Sequence, residues 1–423
     1  MSFPDRGSRP RNAFNELVAA TAVLGIGASG WGVWLEVEEY RDRQASRERI
    51  TEACGGLVDP DRVLGLHGGT ARVRPGQGSE DTFTLDSLPG GCAIYRVEDP
   101  GTAYGHFALS VYTNPGDDHP NVVDDSLNPF FAQHRGGAED VTRVADQSPD
   151  HPLDYPAEDD GRLGHYNDDS ATFKVTCKTA KTARDDVTSV NVVTKALYDD
   201  VSLRDLRTVI ELAAGAAYKV ADHLGCTPED QHAASFPRLW IPDAKLKKAT
   251  EAKGSCRWYA EFLGQEGLGS LPDRARETPR EGEHSFKRSC LLAASPAQVK
   301  RVWPELPERY GRLEGVLGHS PWWLRTESYF GDEARKVVGE AFGGKRTPLT
   351  PGTSGRAERA DIWWASSTCD GEPAVHTLTV SYSYVTAIEP RLRPLFKAYV
   401  DHITAAHDCT DITFPTTSAL PSE

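Results

Sequence analysis

The sequence predicts an α+β protein with two tandem homologous domains, each an antiparallel sheet packed against a C-terminal helix, after one N-terminal transmembrane helix. Three observations predict it. A cysteine-bounded block occurs twice, from Cys177 to Cys226 and from Cys369 to Cys409. Each copy runs strand, cysteine, polar hairpin, strand, helix, cysteine, the pattern of a duplicated unit. An uncharged apolar run precedes both copies.

The run is Leu17–Leu35, LVAATAVLGIGASGWGVWL. At about 1.5 Å per residue it covers roughly 28 Å, close to the hydrocarbon thickness of a bilayer. Trp31 and Trp34 stand near one end, where aromatic rings favour the lipid boundary. We therefore expect residues 1–15 in the cytoplasm, a transmembrane helix over 16–36 and a charged helical stalk over 37–50. Basic residues do not orient the segment: Arg6, Arg9 and Arg11 precede it, while Arg41, Arg43, Arg47 and Arg49 follow. The cysteines do, because paired thiols persist outside the cytosol. The bulk of the chain is thus expected to be extracytoplasmic. A cleaved signal peptide ending at Ala28 or Ser29 is the alternative to a retained anchor.

The expected domains span 51–226 and 238–415, with a tail over 416–423. The first opens at TEACGGLVDPDRVLGL, where Asp59-Pro60 starts a helical turn. The segment GGCAIYRVEDPGTAYGHFALSVYTNP reads as a hairpin, with Ile94 and Val97 on one strand and Phe107, Leu109 and Val111 on the other. GSCRWYAEFLG reads as its counterpart in the second domain, making Cys92 and Cys256 equivalent. Residues 114–170 form an insertion rich in Asp, Pro and Gly, too polar to order itself fully. In the second domain, Leu378, Val380, Tyr382 and Tyr384 share one strand face at period two. The closing helices carry the stripes Leu203, Leu206, Ile210, Ala213, Ala217, Val220, Leu224 and Leu392, Phe396, Tyr399, Ile403, Ala406. Counting back from the closing cysteines aligns Ala213 with Phe396.

Four cysteines in a domain allow three pairings, and spacing alone does not choose. Requiring the same pair in both copies selects Cys177–Cys226 with Cys369–Cys409, leaving Cys54–Cys92 and Cys256–Cys290. Each bridge closes a loop of roughly 35 to 50 residues, worth about 3 to 4 kcal/mol in the chain-entropy treatment. No CxxC spacing is present, so no metal or cofactor is expected.

The net charge of −15 argues against nucleic acid as the partner. Gly339–Thr347, GEAFGGKRT, has phosphate-loop spacing, but Arg346 stands where the magnesium-binding hydroxyl is required. The acidic loop residues, among them Asp117, Asp124, Asp125, Asp168 and Asp169, lack EF-hand order. Trp322 and Trp323, with Trp363 and Trp364, are the candidate aromatic ligand surface. No catalytic residue is assigned.

ACGGLVDPDRVLGL, GGCAIYR and the closing helix LAAGAAYKVADHLGC together resemble actinobacterial, especially streptomycete, extracytoplasmic proteins of the DUF3558-like kind. The resemblance implies a small α/β domain without catalytic residues to transfer; this chain lacks the lipidated cysteine of the lipoprotein members. The expected function is non-catalytic binding or scaffolding in the cell envelope, anchored to the membrane through residues 16–36. Its partner would be an envelope protein, a peptide or a wall component. The alternatives are an extracytoplasmic hydrolase built from distant residues such as His106, His165 and Asp168, and a sensor subunit of a membrane signalling or transport complex.

Overall fold

A computed structural model describes residues 9–76, 83–85, 88–99, 102–114, 120–125, 129–130, 155–156, 163–166, 169–180, 187–228, 246–276, 286–318, 322–382 and 384–420. It is a mixed α+β protein built from antiparallel sheets and packed helices.

The first half begins with α1 (Arg9–Ala53), a single helix of 45 residues that contains both the apolar run and the charged stalk. Next come α2 (Pro60–Leu64), β1 (Val73–Pro75), β2 (Gly90–Asp99), β3 (Thr102–Asn114) and β4 (Asn121–Asp124). Strands β5 (Tyr155–Pro156), β6 (Leu163–Tyr166), β7 (Ser170–Ala180) and β8 (Ser189–Ala196) follow, then α3 (Leu203–His223) and β9 (Cys226–Pro228). The second half contains β10 (Lys247–Lys248), α4 (Arg257–Glu266), β11 (Arg274–Ala275), β12 (Lys287–Ala294), α5 (Pro296–Val302) and α6 (Leu313–Gly318). It continues with β13 (Trp322–Phe330), β14 (Val337–Ala341), β15 (Lys345–Pro348), β16 (Gly355–Arg356), β17 (Ile362–Cys369), β18 (Glu372–Val380), α7 (Val385–Ala406) and β19 (Thr410–Thr413).

The two large sheets have matching centres. The first runs β2-β3-β8-β7 with β9 added on β7; the second runs β12-β13-β18-β17 with β19 added on β17. In each, one helix joins an inner strand to the added strand: α3 links β8 to β9 in the first half and α7 links β18 to β19 in the second.

Four disulfides join Cys54 to Cys92, Cys177 to Cys226, Cys256 to Cys290 and Cys369 to Cys409, the pairs that the repeat selects. The internal correspondence differs from the sequence expectation. Cys92 lies on β2, but Cys256 lies in a short turn before a helix, and Cys290 on β12 is the strand cysteine of the second half. GSCRWYAEFLG is therefore not a strand. It forms α4, because Trp258, Tyr259, Phe262 and Leu263 fall on one helical face and are buried.

Other expectations change for equally local reasons. Strand β18 ends at Val380, so Tyr382 sits in the following turn and is 88% exposed, while Tyr384 is fully buried. Both faces of that strand are buried. His376, Leu378 and Val380 face α7, whereas Val375 and the buried Thr377 and Thr379 face away from it, toward a second layer of the molecule. Leu203 and Ala406, at the ends of their stripes, are exposed. α7 starts at Val385 and carries Pro390 and Pro394 within it.

The insertion supplies an element that its composition hides. β4 pairs in parallel with β14 of the second half, from Asn121 opposite Val337 to Asp124 opposite Glu340, and β15 completes a three-stranded sheet. Beside it, Asn121 Nδ2 donates to Glu333 Oε2 at 2.8 Å, and the buried Lys174 Nζ lies 3.3 Å from Glu333 Oε1. Burial alone would raise the Glu333 carboxyl; Lys174, Asn121 and Lys336 outweigh it and hold the group below its ordinary value. Leu291, Ala293 and Trp323 of the second sheet belong to the core of the first half. The halves therefore share buried surface rather than standing as separate beads.

Candidate functional site

The four tryptophans do not form a ligand surface. Trp322, Trp323 and Trp363 are at most 2% exposed. Trp322 stacks on Tyr384 at 5.0 Å between ring centroids, and the Trp363 indole donates to the Ala419 carbonyl at 2.9 Å. Trp364 is half-buried and packs beside the small core under β14. A sheet lined on both faces can bury aromatic residues from adjacent positions, and the pair Trp322-Trp323 does so on opposite sides. The segment Gly339–Thr347 folds as the β14–β15 hairpin, with Phe342 at its exposed tip.

Two buried histidines have the polar neighbours that a catalytic group would need, and both lack access. His376 Nδ1 lies 2.8 Å from Ser328 Oγ and its Nε2 lies 2.8 Å from Ser367 Oγ; Ser328 Oγ also meets the Tyr399 hydroxyl at 2.7 Å. Burial, helped by the nearby His407, pushes the imidazole down to about 3. The ring is neutral at physiological pH, accepting one hydrogen bond and donating another. Among the described residues no carboxylate reaches it, so this is a satisfied core network rather than a charge-relay arrangement. His106 is also fully buried, with Nε2 donating to the Val63 carbonyl at 2.8 Å. Burial lowers its affinity for a proton. The side chains of His165 and Asp168, its expected partners in a hydrolase, lie outside the described residues, as do those of Asp117, Asp118, Asp159 and Asp160. Among the described residues no group of three or more potential ligands could hold a metal ion.

An open groove of about 760 Å³ lies where α1 meets the body. Its position follows from how the helix docks. The Ser46 hydroxyl donates to the Ala71 carbonyl at 2.8 Å and accepts from the Val73 amide at 3.1 Å, while Arg49 reaches the Val73 carbonyl. These contacts satisfy the free edge of β1, which an open sheet otherwise leaves unpaired. Ser46 and Ile50 are fully buried, and the Cys54–Cys92 bridge ties the helix end to β2.

One wall is α1 from Leu35 to Arg43; the other is the turn Gly68–Arg72 with Arg96 and Glu98 of β2. Gly68 and Gly69 take φ of 77° and 92°, the left-handed region that side chains rarely adopt, which keeps this turn low. Arg72 crosses the groove to Asp42 at 2.5 Å and to Glu38 at 3.7 Å. Its hydrogen bond and charge contact with Asp42 raise the guanidinium above its ordinary value. Arg96 pairs with Glu98 at 3.2 Å. Glu39 and Arg43 are exposed and make no ion pair among the described residues. The groove thus offers one unpaired carboxylate and one unpaired guanidinium on the same helix, an arrangement suited to a ligand that carries both signs of charge.

No part of this groove was legible as a motif. Glu38, Glu39, Asp42 and Arg43 lie in the stalk, which reads as an ordinary solvated helix, and the opposing wall is supplied by residues 68–72 and 96–98. Comparisons of the chain with protein-family models, curated proteins and solved structures gave no match.

Proposed function

We propose that the chain is a single-pass membrane protein that displays two homologous, disulfide-tied α+β domains outside the cell. Its role is non-catalytic binding or scaffolding in the envelope, in keeping with the resemblance to actinobacterial extracytoplasmic proteins. The observation that carries this reading is the unbroken course of α1. Leu17, Val18 and Val23 are each more than half exposed, so no other part of the described chain covers them, and the same helix enters the core at Ile50. Among the described residues no helix is long and apolar enough to cross a membrane, and the side chains of residues 24–33 are outside that set. Four disulfides favour an oxidising compartment, and the matching strand orders favour duplication.

Alkaline extraction of membranes from cells making the full chain tests the anchor. Retention in the pellet, together with thiol labelling that requires prior reduction, is the expected result. Release of the chain, or eight freely labelled thiols, sinks the reading. One observation favours the sensor alternative. The helix is fixed to the body by Ser46, Ile50 and the Cys54–Cys92 bridge, so a change in the body would reach the membrane without a flexible joint. Replacing residues 40–43 by a flexible Gly-Ser segment would abolish sensing but leave simple binding intact.

A further inference from the structure

We propose that Lys174, Asn121 and Glu333 form a self-crosslinking site, in which Lys174 Nζ attacks the Asn121 carboxamide and closes an amide between the two side chains. The inference needs only the folded body and is independent of the membrane anchor.

Geometry is the first argument. Three distant segments bring the groups together. Asn121 opens β4, opposite Val337 of β14, and Lys174 lies within β7, paired with Leu163 on one side and Asn191 on the other. Glu333 lies in the turn Gly331–Lys336 that follows β13. The Thr188 hydroxyl donates to the Asp332 carboxylate and holds that turn against the first sheet. Glu333 then offers one oxygen to each partner: Oε1 faces Lys174 Nζ at 3.3 Å, and Oε2 accepts from Asn121 Nδ2 at 2.8 Å. The same amide nitrogen donates to the Glu333 backbone carbonyl at 3.0 Å, so both of its hydrogens are engaged. The attacking and leaving nitrogens therefore flank one carboxylate. A proton taken from the first can be handed to the second without passing through water, and holding the groups side by side replaces a bimolecular encounter.

Burial is the second argument. Lys174 and Glu333 are 7% and 6% exposed, and the Phe286 ring covers the Nζ at 5.4 Å. An ion pair taken out of water is a weak stabiliser of a fold, whereas a desolvated pocket tolerates the neutral amine and acid that the chemistry requires.

The ion pair is the state before reaction. Glu333 takes a proton from the Lys174 ammonium, and the freed lone pair adds to Asn121 Cγ to form the new C–N bond. The acid passes its proton to Nδ2 and takes the remaining amine proton from Nζ. The Cγ–Nδ2 bond breaks and ammonia departs, carrying the last proton away as ammonium. Glu333 is again a carboxylate, and no oxidant or cofactor takes part. Both joined residues belong to the first half and Glu333 to the second, so the bond forms only where the halves have docked.

Peptide mapping of the full chain, purified with its disulfides formed, then reduced and digested with trypsin, tests this. The expected species joins peptide 97–135 to peptide 163–178, uncut after Lys174. It should weigh about 17 Da less than its two parts together, the mass of the lost ammonia. A purely structural role would leave Lys174 a free, cleavable amine. Separate peptides with cleavage after Lys174 in the folded wild type overturn the proposal, whatever the anchor does. Glu333→Gln and Asn121→Ala should each give separate peptides. A joined species in Glu333→Gln would remove the carboxylate from its role and overturn the mechanism. Circular dichroism and the four disulfides report whether each variant folds; where one does not, the wild-type map decides alone.

Discussion

The closing helices of the two halves solve one packing problem in opposite ways. α3 turns Ala213, Ala214, Ala216, Ala217 and Ala221 inward, and its backbone lies close against β7 and β8. α7 turns Leu392, Leu395, Phe396 and Tyr399 inward and stands further from its sheet. α4 packs against α7, with Trp258 meeting Tyr399 at 5.1 Å between ring centroids. Equal strand order does not fix the distance between layers; side-chain volume does. A small-residue helix saves a layer, whereas a large-residue helix needs a second helix to cover it.

The sharpest way to break the comparison is to exchange volumes. Phe396→Ala should lower the unfolding free energy by about 3–5 kcal/mol, measured by denaturant titration, because the layer above cannot collapse onto the gap. A loss under 1 kcal/mol would mean that α7 can settle as closely as α3. Lys174→Met should cost a similar amount, about 3–5 kcal/mol, by removing the buried ammonium beside Glu333. Calorimetry should then show the two halves melting as separate transitions; a single sharp transition would show that the shared core suffices to couple them. At the position aligned with Phe396, Ala213→Leu should destabilise by about 1–3 kcal/mol through overpacking. Neutral behaviour there would sink the close-packed account of α3.

A smaller effect appears with pH. His376 is held neutral in the folded state, with its affinity pushed down to about 3, while the unfolded chain takes up a proton near 6.5. The unfolded state therefore binds more protons between these values, and stability falls as pH drops from about 6.5 toward 3. The slope approaches about 1.4 kcal/mol per pH unit from this group. In His376→Gln, denaturation midpoints measured from pH 7 to pH 4.5 should decline less steeply than in the wild type; an unchanged slope assigns the acid sensitivity elsewhere. Smallest of all, Ser202→Ala should cost about 1 kcal/mol by removing the cap on the Asp205 amide at the start of α3. The first turn of α7, which has no side-chain cap, offers no equivalent.

How far the sequence could be read depended on the range of the contacts. Repeated cysteines, period-two strands and helical stripes are local patterns, and they located β7, β8, α3, α7 and the disulfides. The helical spacing of Trp258, Tyr259, Phe262 and Leu263 was equally local, but the analogy with Cys92 overrode it. The burial of Trp322, Trp323 and Trp363 was beyond reach, because an aromatic run does not reveal what covers it. Asn121–Asp124 is four residues in a polar stretch whose partner lies more than two hundred residues away, and no period announces such a strand. The groove under α1 fails for the same reason: its two walls meet only in three dimensions.

The β4–β14 pairing also sets an order in time. A chain delivered N-terminus first presents Asp124 long before Val337, 213 residues later (337 − 124). At the roughly 5–20 residues per second of synthesis, that interval is about 10–40 s. Through it the first half has its own large sheet and helix to form, but β4 has no neighbour, and the Lys174 ammonium has no Glu333 to meet. Maturation of the early half thus waits on the arrival of the late one.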